Sequence, residues 1–166
     1  MNFLNNLLII KNQFLKKENF FYIIAILVIF FFDRVTKSKI INNFNENTFY
    51  VNDFINFDLI WNIGIGFGLL SSHSSLVYNL ITFLIGSVII FLIYLFFTSK
   101  SLDKLIYSII IGGALGNFYD RLVYKGVPDF IDIHYNNFHW FTFNVADIFI
   151  SIGIFIFILR NYFIKS

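Results

Sequence analysis

The chain has 166 residues and a mass of 19.6 kDa, and it is 58% hydrophobic and 13% charged with a mean hydropathy of +0.74, where a soluble globular chain is about 45–50% apolar and about 25% charged. So much apolar surface, with 25 Phe in it, exceeds what a fold of this size can hide from water, and the lipid bilayer is the expected solvent. The net charge of +2 gives no basis for nucleic-acid binding, and the absence of Cys excludes disulfides, thiolate metal sites and a cysteine nucleophile. Three His without tight spacing give no sequence-level zinc centre, so neither a metal nor a cofactor is expected.

In chain order, residues 1–17 read as an amphipathic surface segment rather than a signal peptide, because the apolar part is short, rich in Asn and followed by no small-residue cleavage site. A first membrane span is expected at about residues 20–41: it is apolar from Phe20 to Phe32 and then carries Asp33, Arg34, Thr36 and Lys37. Residues 42–75 alternate polar and apolar stretches and read as a small extramembrane β element. The clearest span is 76–97, uncharged and long enough to cross a hydrocarbon core of about 30 Å. A third, at about 105–123, contains Gly112-Gly113, a candidate close-packing site between helices, and meets Asn117, Asp120 and Arg121 near its end. Residues 124–143 are expected as an outer helix or loop, and a fourth span at about 144–163 opens on Asn144 and Asp147. The expectation is therefore an all-α integral membrane protein of four transmembrane helices, one domain, with a small β element between the first two. His73, His134 and His139 are expected at the surface or interface, and Trp61 and Trp140 as interfacial anchors.

Seven of the twelve basic residues (Lys11, Lys16, Lys17, Lys100, Lys104, Arg160 and Lys165) fall on the side of the termini, which places both termini in the cytoplasm. The first, third and fourth spans then carry Asp33, Asp120 and Asp147 at one depth near the outer face, with Asp129 and Asp132 just beyond the third. A charge at the centre of a bilayer costs about 2.5–3.5 kcal/mol on insertion scales, so acids on such helices are paired, solvated or used. Carboxylates at close range hold one proton between them, leaving one to act as base toward water and the other as acid toward a carbonyl. On the residues alone, Asp120 and Asp129 are equal candidates for the partner of Asp147.

Five blocks, in order, resemble those of the lipoprotein signal peptidases, or type II signal peptidases. Asp33-Arg34-Val35-Thr36-Lys37 is similar to D-x-x-T-K, and the segment from Asn62 through Gly64 to Phe67 is similar to N-x-G-x-x-F. Gly112 to Arg121 resembles G-G-A-x-G-N-x-x-D-R, Val127-Pro128-Asp129-Phe130 resembles V-x-D-F, and Phe143-Asn144-Val145-Ala146-Asp147 resembles F-N-x-A-D. Departures are small: Ile65 and Gly66 stand where the family often has Ala, and Pro128 where Val is common.

The resemblance implies a monomeric aspartyl endopeptidase of the bacterial inner membrane, with its site toward the outer face and no cofactor. Its substrate would be a diacylglyceryl-modified prolipoprotein, cut on the amino side of the lipidated cysteine. By matching positions, Asp129 and Asp147 would be the catalytic pair. Asn117 and Asn144 would orient the acids and hold substrate backbone, and Asn62 and Arg121 would contact substrate. Gly64, Asp120 and Ala146 complete the supporting set, and Asp33 and Lys37, at i, i+4, would pair in structural support. In the family the segment of Asn62 forms a β platform, and the stretch after the third span a mobile helix over the site. The competing reading from the residues is a proton or cation pathway subunit of a transporter, which predicts acids at several depths.

Overall fold

The computed structural model describes residues 16–43, 48–64, 74–136 and 138–164. The N-terminal surface segment up to residue 15, and Ile65, Gly66, Phe67 and His73 of the second block and its neighbourhood, lie outside the described residues. Four long helices, α1 (Lys17–Asn43), α2 (Ser75–Thr98), α3 (Ser101–Tyr124) and α4 (Val145–Ile164), are joined by four strands, β1 (Phe49–Asn52), β2 (Ile55–Asn62), β3 (Val127–Tyr135) and β4 (Phe138–Phe143).

Three of the helices, α1, α2 and α4, are long and apolar enough to cross a membrane. They turn large apolar side chains outward: Phe20, Phe83, Ile90 and Phe155 are all more than half exposed, an arrangement that suits lipid and not water. α3 falls short of that composition because it carries Asp103, Lys104, Asp120 and Arg121, and its position explains why. It is the central helix, packed against each of the other three, so its polar groups face protein. Lipid is as apolar as Leu, so burying one apolar face on another gains little, and such helices hold by close packing and polar links. A Cβ at Gly112 would come 2.8 Å from Cβ of Ile29 on α1, and one at Gly113 would come 2.6 Å from the carbonyl oxygen of Ala146 on α4. The glycine pair is thus where α3 touches both neighbours at backbone distance. At one end Phe96, Phe97, Tyr107 and Ile111 form an apolar cluster, beside which the buried Lys104 donates to Asn19 Oδ1 at 2.7 Å. At the other end Ile40, Phe130 and Val145 pack where the sheet meets the helices.

The strands form one antiparallel sheet in the order β1-β2-β3-β4. This corrects the expectation of an outer helix or loop over residues 124–143: Val127–Tyr135 and Phe138–Phe143 are instead the two strands that complete the sheet. The cause is local: in Val127–Tyr135 the β-branched Val127, Ile131 and Ile133 stand among alternating side chains, a period-two pattern that suits a pleated strand. Asn136, at φ 52°, supplies the left-handed turn residue that a tight hairpin needs. Pro128 is tolerated because β4 pairs with β3 from Ile131 onward, so one flank of the strand is open at Pro128. α3 ends on Lys125, in the left-handed conformation at φ 58°, and the chain turns there directly into β3.

Candidate active site

The turn from β4 into α4 builds the centre of the site. Asn144 caps α4: its Oδ1 accepts from the backbone N–H of Asp147 at 3.1 Å, and its own N–H donates to Asp147 Oδ2 at 3.2 Å. This reciprocal capping box settles two N–H groups that a helix start would otherwise leave unpaired. The third, on Ala146, donates to Asp33 Oδ1 at 3.0 Å. Asn144 Nδ2 is thereby left to reach β3, where it donates to Asp129 Oδ1 at 2.6 Å. The other oxygen of Asp129 accepts from Asn62 Nδ2, at the end of β2, at 2.9 Å. Asp147 Oδ1 accepts from Asn117 Nδ2 on α3 at 2.8 Å.

Behind these amides lies a layer of charge. Lys37, fully buried, reaches Asp33 Oδ2 at 2.9 Å, Asp120 Oδ2 at 2.8 Å and Asn117 Oδ1 at 2.7 Å, and Arg34 bonds the remaining oxygen of Asp120. Arg34 also stacks over Tyr119, 4.6 Å from the ring centre. Lys37 accordingly fixes the amide of Asn117 so that its Nδ2 points at Asp147. A side chain on Gly116 would collide with the Asp33 carboxylate, so the glycine is what lets α1 bring that acid in.

Asn117, Asp129 and Asp147 line one cavity of about 320 Å³, together with Asn62 and Arg121. Apart from Ser151, its other walls are apolar, with Ile85, Ala114, Val127, Ile150 and Ile154. Arg121 donates to the carbonyl oxygen of Gly64, and its Nε and Nη1 are buried with no hydrogen-bond partner among the described residues. Gly64 is held in turn by Asn62, whose Oδ1 accepts the Gly64 N–H at 2.9 Å. Burial, reinforced by the negative charge of Asp147, pushes Asp129 from the ordinary 3.8 up to about 6, against the pull of the two amides that favour its ionised form.

Every candidate residue of the sequence therefore falls in one connected network, but in two groups. Asp129, Asp147, Asn62, Asn117 and Arg121 face the cavity, while Asp33, Lys37 and Asp120 stand behind it; the Ala146 N–H ties Asp33 to the start of α4, Asn144 links Asp129 to Asp147, and Gly64 links Asn62 to Arg121. Sequence reasoning missed Tyr78, a buried residue of α2 whose hydroxyl donates to the carbonyl oxygen of Arg121 at 2.9 Å and so steadies the end of α3. A single Tyr in an apolar span carries no signal of such a role. His134 was expected at the surface and is buried at 7% exposure, because it lies on the inner face of β3.

A family profile described as Signal peptidase (SPase) II matches residues 24–163. The chain belongs to that family. It is 47% identical over 158 residues to the lipoprotein signal peptidase of Pelagibacter ubique (strain HTCC1062), covering 93% of this chain and 95% of that one. It is 39% identical over 156 residues to the lipoprotein signal peptidase of Aquifex aeolicus (strain VF5), covering 92% of each. A solved bacterial membrane enzyme superposes with a TM-score of 0.74 at 30% identity, covering 87% of this chain and 89% of that one. With its apolar helices, membership of this family makes the chain a bacterial membrane protein. The transporter-pathway alternative gains no support: α2 carries no acid, and the acids of α1, α3 and α4 near the sheet gather at one end.

Proposed function

We propose that this signal peptidase II homologue removes the signal peptide from diacylglyceryl-modified prolipoproteins by aspartic acid-base hydrolysis on the amino side of the lipidated cysteine. The observation that carries the reading is that Asp129 and Asp147 face one cavity, each held by neutral amides rather than by a cation. In the reaction one carboxylate takes a proton from a water whose oxygen attacks the scissile carbonyl carbon, while the protonated partner gives its proton to the carbonyl oxygen. As the resulting tetrahedral intermediate collapses, the C–N bond breaks and a proton passes to the leaving amine of the cysteine. The raised pKa of Asp129 suits it to hold the proton at the start. The two free donors of Arg121 supply hydrogen bonds for substrate backbone carbonyls, and the apolar wall from Ile85 to Ile154 takes the substrate's hydrocarbon.

All four helices cross the membrane in this reading, the termini lie in the cytoplasm with Lys100 and Lys104, and the sheet and the acids lie at the outer face. The chain needs no cofactor in this reading, because general acid-base chemistry needs no more than the two carboxyls and water. The test is a gel-shift cleavage assay of the purified protein with a prolipoprotein whose lipobox cysteine is diacylglyceryl-modified or left bare, beside Asp129→Asn and Asp147→Asn. The expected result is cleavage of the lipidated substrate alone, with each variant folded and slowed by about 10²–10⁴. Undiminished cleavage by Asp129→Asn would move the acid role to Asp120.

A further inference from the structure

Away from the cavity, the β3-β4 hairpin carries a second cluster of polar groups. Asp132 and His134, at i, i+2, share one face of β3, and His139 on β4 is the cross-strand partner of His134. The two imidazoles stack at 5.2 Å between centres and 24° between planes. His139 Nδ1 lies 2.7 Å and His134 Nδ1 3.5 Å from the same carboxylate oxygen, Asp132 Oδ2, and all three donor atoms fall within 4.8 Å of one another.

Among the described residues, two buried atoms on Asp132's strand neighbours have no hydrogen-bond partner. One is Nδ1 of His134, whose side chain is 8% exposed and points at Asp132. The other is Oδ1 of Asn56 on β2, the residue paired with Asp132 across the sheet. A buried polar atom left unpaired carries its desolvation cost uncompensated, and His134 Nδ1, in its neutral Nε2–H tautomer, and Asn56 Oδ1 are both lone-pair atoms that a bound cation would satisfy. Two imidazoles and a carboxylate are a donor set for a late first-row divalent ion, not for Ca²⁺ or Mg²⁺, which take oxygen. Donors arranged tetrahedrally at about 2.0–2.2 Å from zinc stand about 3.3–3.6 Å apart. The observed 2.7 Å and 3.5 Å lie close enough for the exposed arm of His139, at 58% exposure, to adjust.

We propose that the hairpin binds a divalent cation of the zinc class through Asp132 Oδ2, His134 Nδ1 and His139 Nδ1, with the Asn56 amide oxygen or a water in the fourth place. The ion crosslinks β3 and β4 three residues beyond Asp129 and five before Asn144, so on the peptidase reading it stiffens both strands that present the acid and its amide. Binding itself does not depend on that reading.

The test is the full-length protein in detergent micelles, stripped with a chelator and titrated with Zn²⁺ by calorimetry and with Co²⁺ by visible absorption. The expected result is one equivalent per chain with a tetrahedral Co²⁺ spectrum, at least tenfold weaker binding in His139→Gln and His134→Ala, and unchanged binding in His73→Ala. His139→Gln changes an exposed side chain and keeps the fold, which a thermal scan verifies. Equal binding by the wild type and the His134→Ala/His139→Gln double variant overturns the proposal, as does loss of binding in His73→Ala alone. Cleavage is scored separately: a chain that binds zinc and does not cut fails the peptidase reading alone, and one that cuts and binds no zinc fails the metal site alone.

Discussion

The raised pKa of Asp129 makes stability depend on pH in a way that a simple substitution abolishes. Between 3.8 and about 6 the native carboxyl keeps a proton that the unfolded chain has released. Its contribution is therefore full below 3.8 and is lost as pH rises through about 6. A displacement of that size corresponds to about 3 kcal/mol. Asp129→Asn keeps the shape and cannot ionise, so it removes the whole slope. It also has one oxygen where Asp129 has two, and Asn62 and Asn144 each donate to one of them at 2.9 Å and 2.6 Å. One of those bonds is lost, at about 1 kcal/mol. The variant should be less stable than wild type by about 1 kcal/mol near pH 4 and more stable by about 2 kcal/mol near pH 8. Thermal unfolding in detergent followed by tryptophan fluorescence reads this, since Trp61 pairs with Pro128 beside the acid. Asp147→Asn removes the second cause of the displacement and should leave a shallower slope. Parallel pH profiles for wild type and Asp129→Asn would refute the burial argument.

Three other changes test the scaffold. Lys37→Met leaves Asp33 without its cation and Asp120 with Arg34 alone, and should cost about 3–5 kcal/mol in the same thermal assay, most of it returned when Asp33→Asn is added. Gly113→Ala places a Cβ 2.6 Å from the Ala146 carbonyl oxygen and should cost about 1–3 kcal/mol, with a parallel fall in cleavage rate as Asn117 and Asp147 are drawn apart. Lys125→Gly relieves the φ of 58° at the end of α3 and should raise the melting temperature by the equivalent of about 1 kcal/mol, with cleavage unchanged.

What the sequence made legible was set by how far apart the deciding residues lie. The uncharged run 76–97 became α2 within a residue at each end, because a long apolar segment has one stable form in lipid. Asp33 and Lys37 sit on one helix face by spacing alone, and they do meet. The hairpin of residues 127–143 was misread although its period-two alternation stood in the chain; the expectation of a helix over the site outweighed it. The long-range partners of Asp129 and Asp147 were not legible in spacing, and only the family resemblance set Asn117 and Asn144 beside them. Asn62 meets Asp129 across 67 positions and Asn117 meets Asp147 across 30, and those distances depend on how each helix is rotated and where the sheet docks, which no local pattern encodes.

The way partners are shared out sorts the four acids by role. A cation bound to a buried carboxylate ties together the elements that carry the two groups, which suits an acid with a structural task. Asp120 has two such partners, Lys37 and Arg34, and Asp33 has one. An amide donor supports a carboxylate more weakly and leaves protonation within reach, and the hydrogen-bond partners described for Asp129 and Asp147 are amides or backbone N–H groups. Lys37 and Arg34 thus stand one layer behind the cavity, where they lock helix positions without contacting the two acids that exchange protons in the proposed mechanism. The consequence is a crossed pair of phenotypes. Asp120→Asn should lose stability, because the buried Lys37 and the partly exposed Arg34 face one carboxylate fewer, while the folded fraction still cuts. Asp129→Asn should lose cleavage while gaining stability near neutral pH. Melting temperature and single-turnover rate measured on both variants decide it, and a shared phenotype would mean that the two layers are one.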